Sequence, residues 1–269
     1  MARDSVGQTL TVATILCVVC SVLVASAAVG LRSRQEANKA QDQMKNVLIA
    51  AGLFDASKNT AADVNIIFEQ RIDKVLIDLE TGEPTDAEVV DPATYDQREA
   101  ARKPELSAPV QPAGGLGGIK TREKYAFVYQ VKNDSDQIEQ VVLPVYGRGL
   151  WSTLYGFIAV SNDGSTVRGI TFYEHGETPG LGGEVDNPRW KALWNGKQLF
   201  DETGQVEIEV IKGVVVAETT IAKYQIDGLS GATITSNGVS QLIRYWVGPD
   251  GFGPLLEKLR QNGQGVSDG

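Results

Sequence analysis

Residues 227–239, with the sequence DGLSGATITSNGV, carry more hydroxyl groups than a turn before a helix requires. Six of these thirteen residues are Asp, Ser, Thr or Asn, and three more are glycines. The residues that follow, SQLIRYWV, are typical of a helix, whose free N–H groups would face this stretch. Such a helix start can bind phosphate without Lys or Arg. Two interpretations therefore stay open, a phosphate site and a plain helix cap formed by Ser236 or Asn237.

Two other stretches could also carry chemistry. Residues 174–183, EHGETPGLGG, follow a predicted strand, and their glycine-rich backbone could hold a flat heteroaromatic ring, although a simple Pro-Gly turn is an alternative. Residues 146–151, YGRGLW, end in Trp151, for which packing in the core is the more common role. Residues 227–239 are neither a P-loop, because the Lys after the glycines is missing, nor the dinucleotide motif G-x-G-x-x-G.

The composition excludes several classes of function. The chain has 269 residues and a net charge of −9, which argues against binding to nucleic acid or to anionic lipid by charge alone. His175 is the one histidine, so His-rich metal sites and most histidine-based catalysis are not expected. Cys17 and Cys20 lie in an apolar segment, where small apolar packing is expected of them. We therefore expect no metal site and chemistry that depends on a cofactor.

The N-terminal segment is long and apolar. No residue from 5 to 31 is charged, and about 20 apolar residues suffice to cross a bilayer. A cleaved signal peptide ending near Ala25-Ser26-Ala27 is the alternative, but the apolar run is long for one. Four Lys or Arg residues follow between positions 32 and 45, and only Arg3 precedes the span. By the positive-inside rule, the rest of the chain would lie in the cytoplasm.

Periodicity along the rest of the chain predicts helices and then strands. Helical spacing covers residues 35–52 and, with Thr60 as cap, 59–72. Strands are predicted over 75–79, 125–131, 138–146, 154–161 and 166–173, with a strand pair or one long bent strand over 206–216. Further helices are predicted from Asn187 to about Trp194 and over 255–260. Residues 84–120 contain five prolines and predict a long loop. This order indicates an α+β domain with a mostly antiparallel sheet flanked by helices.

Residues 227–233, Asp-Gly-Leu-Ser-Gly-Ala-Thr, match the flavinylation pattern Asp-x-x-(Ser/Thr)-Gly-Ala-Thr of FMN-binding domains. In those domains FMN is joined through a phosphoester to the last Thr. Three further segments carry the resemblance: Gly149-Leu150-Trp151-Ser152, Glu177-Thr178-Pro179-Gly180-Leu181-Gly182 and Gly251-Phe252-Gly253-Pro254. With the N-terminal span, the chain resembles the C-subunit family of the bacterial sodium-translocating NADH:quinone oxidoreductase, which is related to the G subunit of the Rnf complex.

The resemblance implies roles for individual residues. Thr233 would bear a covalent FMN, with Thr235 as the rival hydroxyl. A flavin transferase, which installs FMN from FAD, would read four residues before it: Asp227, Ser230, Gly231 and Ala232. The flavin ring would be lined by Trp151, Glu177, Thr178, Gly180 and Leu181. His175 lies beside this last group without an assigned role, and no catalytic residue beyond the flavin is implied.

The resemblance also implies a place in a complex. The chain would relay one electron at a time from an iron–sulfur centre toward another FMN subunit, within an enzyme that oxidises NADH, reduces ubiquinone and transports sodium. Residues 1–34 would anchor the chain in the bacterial inner membrane. Residues 35–269, with 84–120 as a loop, would form an FMN-binding domain on the periplasmic side, against the positive-inside count. Its partners would be the other subunits, the membrane and the transferase, and the isolated chain would have little turnover.

A function of another class is the alternative to this relay. The stretch 227–239 could hold a phosphorylated ligand reversibly, which would make the chain a membrane-tethered sensor or binding module. The two interpretations differ in whether the ligand remains attached after denaturation.

Overall fold

The computed structural model describes residues 5–55, 57–112 and 114–264, so Arg3 and the residues after 264 lie outside it. One compact unit ends at Gln43, and the other begins at Met44. Helix α1, Val6–Ala50, runs through both, whereas the sequence predicted a separate helix over 35–52. The helix continues because no proline interrupts it, and Arg32 and Glu36 form an i,i+4 ion pair (2.9 Å). Among the described residues, α1 is the one helix long and apolar enough to cross a membrane.

The second unit is built on a five-stranded antiparallel sheet. In chain order the strands of the structure are β1 Ile72–Asp78, β2 Ser107–Pro109, β3 Thr121–Glu123, β4 Tyr125–Lys132, β5 Ile138–Arg148, β6 Thr153–Ser161, β7 Val167–Glu174, β8 Glu209–Val210 and β9 Gln225–Ile226. The large sheet has the order β1-β4-β5-β6-β7, and each neighbouring pair is antiparallel. The predicted α+β architecture with a mostly antiparallel sheet is confirmed.

Helices cover both faces of this sheet. Besides α1 they are α2 Ala61–Arg71, α3 Gln97–Ala100, α4 Pro188–Ala192, α5 Thr233–Val247 and α6 Gly253–Gln264. Alternate strand residues face opposite layers, so Val128 packs in the cluster that contains α5, while Phe127 and Tyr129 pack against Leu48 and Val64. Each such buried side chain contributes about 1.5–3 kcal/mol. Helix α5 packs on one of these faces, against β5.

Two predicted helix starts, those of α2 and α4, are found where the sequence placed them. The N–H of Thr60 donates to the Asp63 carboxylate (2.7 Å) just before α2. Asn187 accepts a hydrogen bond from the N–H of Arg189 (2.9 Å), and Pro188 takes the first position of α4. The last helix, predicted over 255–260, is longer than expected because it begins at Gly253 and continues to Gln264.

Residues 84–120, which were predicted to form a long loop, contain two regular elements, α3 and β2. This segment also supplies partners for β4, which pairs with β5 over residues 129–132. The Tyr95 hydroxyl donates to the carbonyl of Tyr125 (2.7 Å), and Gln97 accepts from the N–H of Phe127 (3.1 Å). Gln97 also donates to the buried Glu123 carboxylate (2.6 Å). Polar anchoring of this kind leaves no apolar periodicity in a sequence.

The predicted strand pair over 206–216 is wrong. The structure has a two-residue strand, β8, which pairs in parallel with β9. Val214 and Val216 are 75% and 60% exposed, and Gly213 has a positive φ of 91°. Apolar content suggested a strand there, but the chain turns at Gly213 and the two valines that follow are exposed.

Candidate functional site

A cleft of about 340 Å³ lies at the start of α5. It is lined by residues 211–214, by the turn 228–231 and by Thr233, Ser236 and Asn237. The hydroxyl-rich stretch of the sequence therefore borders an open cavity, on which two loops and one helix terminus converge.

The start of α5 differs from the prediction of a cap by Ser236 or Asn237, which is wrong. The helix begins at Thr233, and the capping position is Ala232, which cannot accept a hydrogen bond through its side chain. Ser236 lies within the first turn, where its hydroxyl accepts from the N–H of Leu229 (3.0 Å). The first N–H groups of α5 thus have no side-chain cap among the described residues, and this leaves donors for an anion.

Thr233 and Thr235 have opposite environments. Thr233 is exposed in the cleft. Thr235 is 1% exposed, and its hydroxyl donates to Oε2 of Glu177 (2.7 Å). Of the two candidate hydroxyls, the one at Thr233 is the one an incoming group can reach.

Glu177 is the centre of a buried hydrogen-bond cluster. The residue is 5% exposed, and its carboxylate accepts from three successive backbone N–H groups, those of Leu150 (3.2 Å), Trp151 (3.0 Å) and Ser152 (3.2 Å). Burial acts to raise the pKa of Glu177, but the hydrogen bonds from Thr235 and from these N–H groups outweigh it and lower the pKa. The side chain is therefore a charged clamp on the turn that precedes β6.

Trp151 is 64% exposed, so the expectation that it packs in the core is wrong. The clamp by Glu177 explains this position, because the backbone of the turn is held inward while the indole extends outward. Leu150, Leu181 and Ile234 are also exposed, by 41%, 43% and 58%. Exposed apolar side chains thus lie on three segments that the Glu177 carboxylate joins: the Trp151 turn, the turn after Glu177 and the start of α5.

The glycine-rich turn after Glu177 uses part of its own backbone. The carbonyl of Thr178 accepts from the N–H groups of Leu181 (3.1 Å) and Gly183 (2.9 Å), so these two donors are not free for a ligand. Gly180 has a positive φ of 75°, which the tight turn requires. Thr178, Gly180 and Leu181 remain exposed, and the turn can contact a ligand through their outer surfaces.

The residues before Thr233 form a folded turn. Oδ1 of Asp227 accepts from the N–H of Val215 (2.8 Å), and its carbonyl accepts from Nε1 of Trp190 (2.8 Å). Ser230 and Gly231 are exposed at the cleft, whereas Ala232 is buried. Asp227 therefore holds the loop around Val215 in place, and Ser230 and Gly231 form part of the rim of the cleft.

His175 is tied to its neighbours through both ring nitrogens. Nδ1 accepts from the N–H of Glu177 (3.2 Å), and Nε2 lies 2.7 Å from Oδ2 of Asp186. The tautomer that carries its proton on Nε2, and donates it to the Asp186 carboxylate, fits this arrangement. The histidine connects the Glu177 turn to the residues before α4.

Two features of the site were missed from the sequence. Lys212 lines the cleft, although it lies 21 residues from Thr233 in the chain. The bond between Thr235 and Glu177 joins residues 58 positions apart. Neither feature leaves a signal in the local sequence, because each depends on contact between segments that are far apart in the chain.

Within the described residues, no group of three His, Cys, Asp or Glu could hold a metal ion.

Comparison with known proteins gives a class. A family model described as an FMN-binding domain matches residues 149–248, which include the Trp151 turn, the Glu177 turn, the cleft and α5. The fold and the site thus define a protein with an FMN-binding domain on a helix long enough to cross a membrane.

The relatives are more specific. The chain is 48% identical to the C subunit of the Na(+)-translocating NADH-quinone reductase of Yersinia pestis, over 96% of this chain and 95% of that one. It is 46% identical to the corresponding protein of Pseudomonas aeruginosa, over 96% and 98%. A crystal structure of Shewanella oneidensis NqrC is 38% identical, with a TM-score of 0.73 over 83% of this chain and 99% of that one. The chain belongs to the C-subunit family of Na(+)-translocating NADH-quinone reductases.

Proposed function

We propose that this chain is an electron-carrying subunit of a sodium-translocating NADH-quinone reductase and holds FMN through a phosphoester to Oγ1 of Thr233. One observation carries the choice of residue. Thr233 is exposed at the uncapped start of α5, whereas Thr235 is buried and its hydroxyl is engaged by Glu177. A phosphate ester on Thr235 would require this cluster to open.

The residues around the cleft fit the two ends of FMN. The first N–H groups of α5 and the cation of Lys212 suit a phosphate diester. The exposed surfaces of Trp151 and Leu181 suit a flat apolar ring. When bound, FMN supplies one-electron transfer.

Three further residues complete this assignment. Thr178 and Gly180 would form the edge of the ring site beside Leu181, because all three are exposed on one turn. Glu177, which is buried, would act by holding that site in shape.

The ester would be made by a flavin transferase from FAD. In balanced form, Oγ1 of Thr233 forms a bond to the FMN phosphorus, the pyrophosphate bond of FAD breaks, and AMP leaves with the hydroxyl proton. Ser230 and Gly231 are exposed beside Thr233, and Asp227 and Ala232 hold the turn that presents it. These four residues are the proposed recognition sequence.

The relatives' names suggest the setting. They describe a subunit of an NADH-quinone reductase that translocates sodium. In the proposed relay, this chain would take single electrons from an iron–sulfur centre and pass them to another FMN subunit, as the family resemblance implies. Residues 1–34 would anchor the chain in the inner membrane, and 35–269 would lie on the periplasmic side. A long domain can translocate despite basic residues near the span.

The experiment is to express the full chain with and without a flavin transferase, denature it and examine the band for flavin fluorescence. We expect fluorescence with the transferase, its loss in Thr233→Ala, and its retention in Thr219→Ala, where another exposed threonine is removed. Fluorescence retained in Thr233→Ala would contradict the assignment of the attachment residue. Absence of fluorescence from the wild type with the transferase present would favour a reversibly bound phosphorylated ligand.

A further inference from the structure

Thr235 and Glu177 connect three segments whose relative positions shape the surroundings of the cleft. Thr235 belongs to the first turn of α5, and Glu177 begins the glycine-rich turn after β7. Their side chains meet at 2.7 Å, and the same carboxylate accepts from the backbone of the Trp151 turn. One carboxylate thus joins the helix, the glycine-rich turn and the tryptophan turn.

Two glycines show that backbone is packed directly on this pair. A Cβ added at Gly149 would lie 2.6 Å from Oε1 of Glu177. A Cβ added at Gly182 would lie 2.6 Å from Oγ1 of Thr235 and 2.8 Å from Oε2 of Glu177. Real Cβ contacts are essentially never shorter than 3.0 Å. The two glycines therefore leave space for the carboxylate and the hydroxyl, and the pair is enclosed from both sides.

Because of their spacing, Thr233 and Thr235 point to different sides of α5. Successive residues of a helix are rotated by roughly 100°, so positions 233 and 235 point roughly 200° apart. Thr233 accordingly faces the cleft, while Thr235 is buried. A group tethered at Thr233 and the hydrogen bond at Thr235 thus use opposite sides of the same helical turn.

We propose that Thr235 is a positioning residue for the flavin. Its hydroxyl orients the Glu177 carboxylate, and the carboxylate fixes the turn that presents Trp151 to the ring tethered at Thr233. This inference rests on the proposed function and extends it to a residue that the flavinylation motif does not include. Thr235 acts through Glu177 and does not contact the flavin.

The test uses the full chain expressed with the flavin transferase, as wild type, Thr235→Val and Thr235→Ser. Valine preserves the shape and removes the donor, whereas serine keeps the hydroxyl. Thr171→Val is the matched control, because Thr171 is also 1% exposed but belongs to β7. Three quantities are measured: hydrogen exchange at the amides of residues 150–152, the fluorescence anisotropy of the flavin and its reduction potential.

In Thr235→Val we expect exchange at these amides to become at least about tenfold faster, which corresponds to about 1.4 kcal/mol of lost protection. We also expect the flavin anisotropy to fall and its reduction potential to change. Thr235→Ser should restore all three, and Thr171→Val should leave them at wild-type values. If only the packing of the threonine methyl group mattered, the pattern would be reversed, because valine keeps that methyl group and serine lacks it.

The proposal is overturned if Thr235→Val matches wild type in exchange and anisotropy, or if Thr235→Ser is as impaired as Thr235→Val. If Thr235→Val does not fold, Glu177→Gln replaces it, and faster exchange at residues 150–152 is again required. If the wild-type chain carried no covalent flavin, that result would contradict only the proposed function. Exchange in that flavin-free chain would still show whether Thr235 holds the tryptophan turn.

Discussion

At the scale of single residues, the site depends on which hydroxyl is reachable and which is engaged. Thr233 and Thr235 have the same side chain, but the helix turns one toward the cleft and the other toward Glu177. The exposed hydroxyl is available for an ester, and the buried one contributes a hydrogen bond to a charged group, worth about 1.5–3 kcal/mol. The chemistry of the site thus follows from helix geometry.

Gly182 gives a test of this packing. We expect Gly182→Ala to lower the free energy of unfolding by about 1–3 kcal/mol, because the added Cβ would overlap Oγ1 of Thr235. Urea unfolding of the full chain in detergent measures the change. Gly176→Ala is the control, since a Cβ there would make an ordinary contact of 3.4 Å with Ser152. Equal midpoints for the two variants would contradict the tight enclosure.

The charge of Glu177 gives a prediction on pH. Its pKa is lowered on folding, so its ionisation contributes stability that is present above the ordinary value of 4.5 and is lost as the pH falls through the folded pKa. We expect the wild type to exceed Glu177→Gln in free energy of unfolding at pH 7. The difference should shrink below about pH 4.5. Urea unfolding of both proteins at pH 7 and pH 4 measures it, and a difference independent of pH would show that the charge contributes nothing.

At the scale of elements, residues 84–120 stabilise the sheet through side chains. Tyr95 and Gln97 bind backbone groups of β4 at residues 125 and 127. Gln97 also donates to Glu123, a fully buried carboxylate. The segment thus belongs to the fold of the domain, even though its sequence is rich in proline.

Gln97→Ala tests this role. The substitution leaves the N–H of Phe127 and the Glu123 carboxylate each without one partner, and we expect a loss of about 1–3 kcal/mol in the free energy of unfolding. Hydrogen exchange at the amide of Phe127 should accelerate. Gln241→Ala, on the exposed side of α5, is the matched control. Unchanged exchange at Phe127 would mean that the loop is dispensable to β4.

At the scale of the whole molecule, one long helix leads into the flavin domain. Helix α1 carries the apolar span, and its last residues, including Leu48, belong to the core of the second unit. Basic residues after the span favour a cytoplasmic domain, whereas the proposed function puts the domain on the opposite side.

Labelling of an added cysteine determines on which side of the membrane the domain lies. Thr203→Cys places a thiol at an exposed turn. We expect a maleimide that cannot cross membranes to label this variant in intact spheroplasts, as a periplasmic domain requires. The wild type is the control for Cys17 and Cys20, which lie within α1. Labelling of Thr203→Cys only after lysis would place the domain in the cytoplasm.

Much of the fold could be predicted because its signals are local. The strands β4 to β7 follow alternating or continuous apolar runs, and the caps at Thr60 and Asn187 lie beside the helices they begin. The start of α5 could not be predicted in this way. Ser236 is a suitable cap by type, but its hydroxyl accepts from Leu229 within the folded turn. The strand predicted over 206–216 is limited to Glu209–Val210, because the chain turns at Gly213 and the valines after it are exposed.

The sequence by itself determined the α+β class, the apolar N-terminal span and the stretch around Thr233, because composition, periodicity and motif spacing are properties of neighbouring residues. The tertiary structure alone decided that Thr233 is exposed while Thr235 is buried, that Trp151 is outside the core, and that Glu177 joins three segments. These features depend on contacts between residues far apart in the chain. Such contacts are made only when α5 packs on the sheet and brings the turns together.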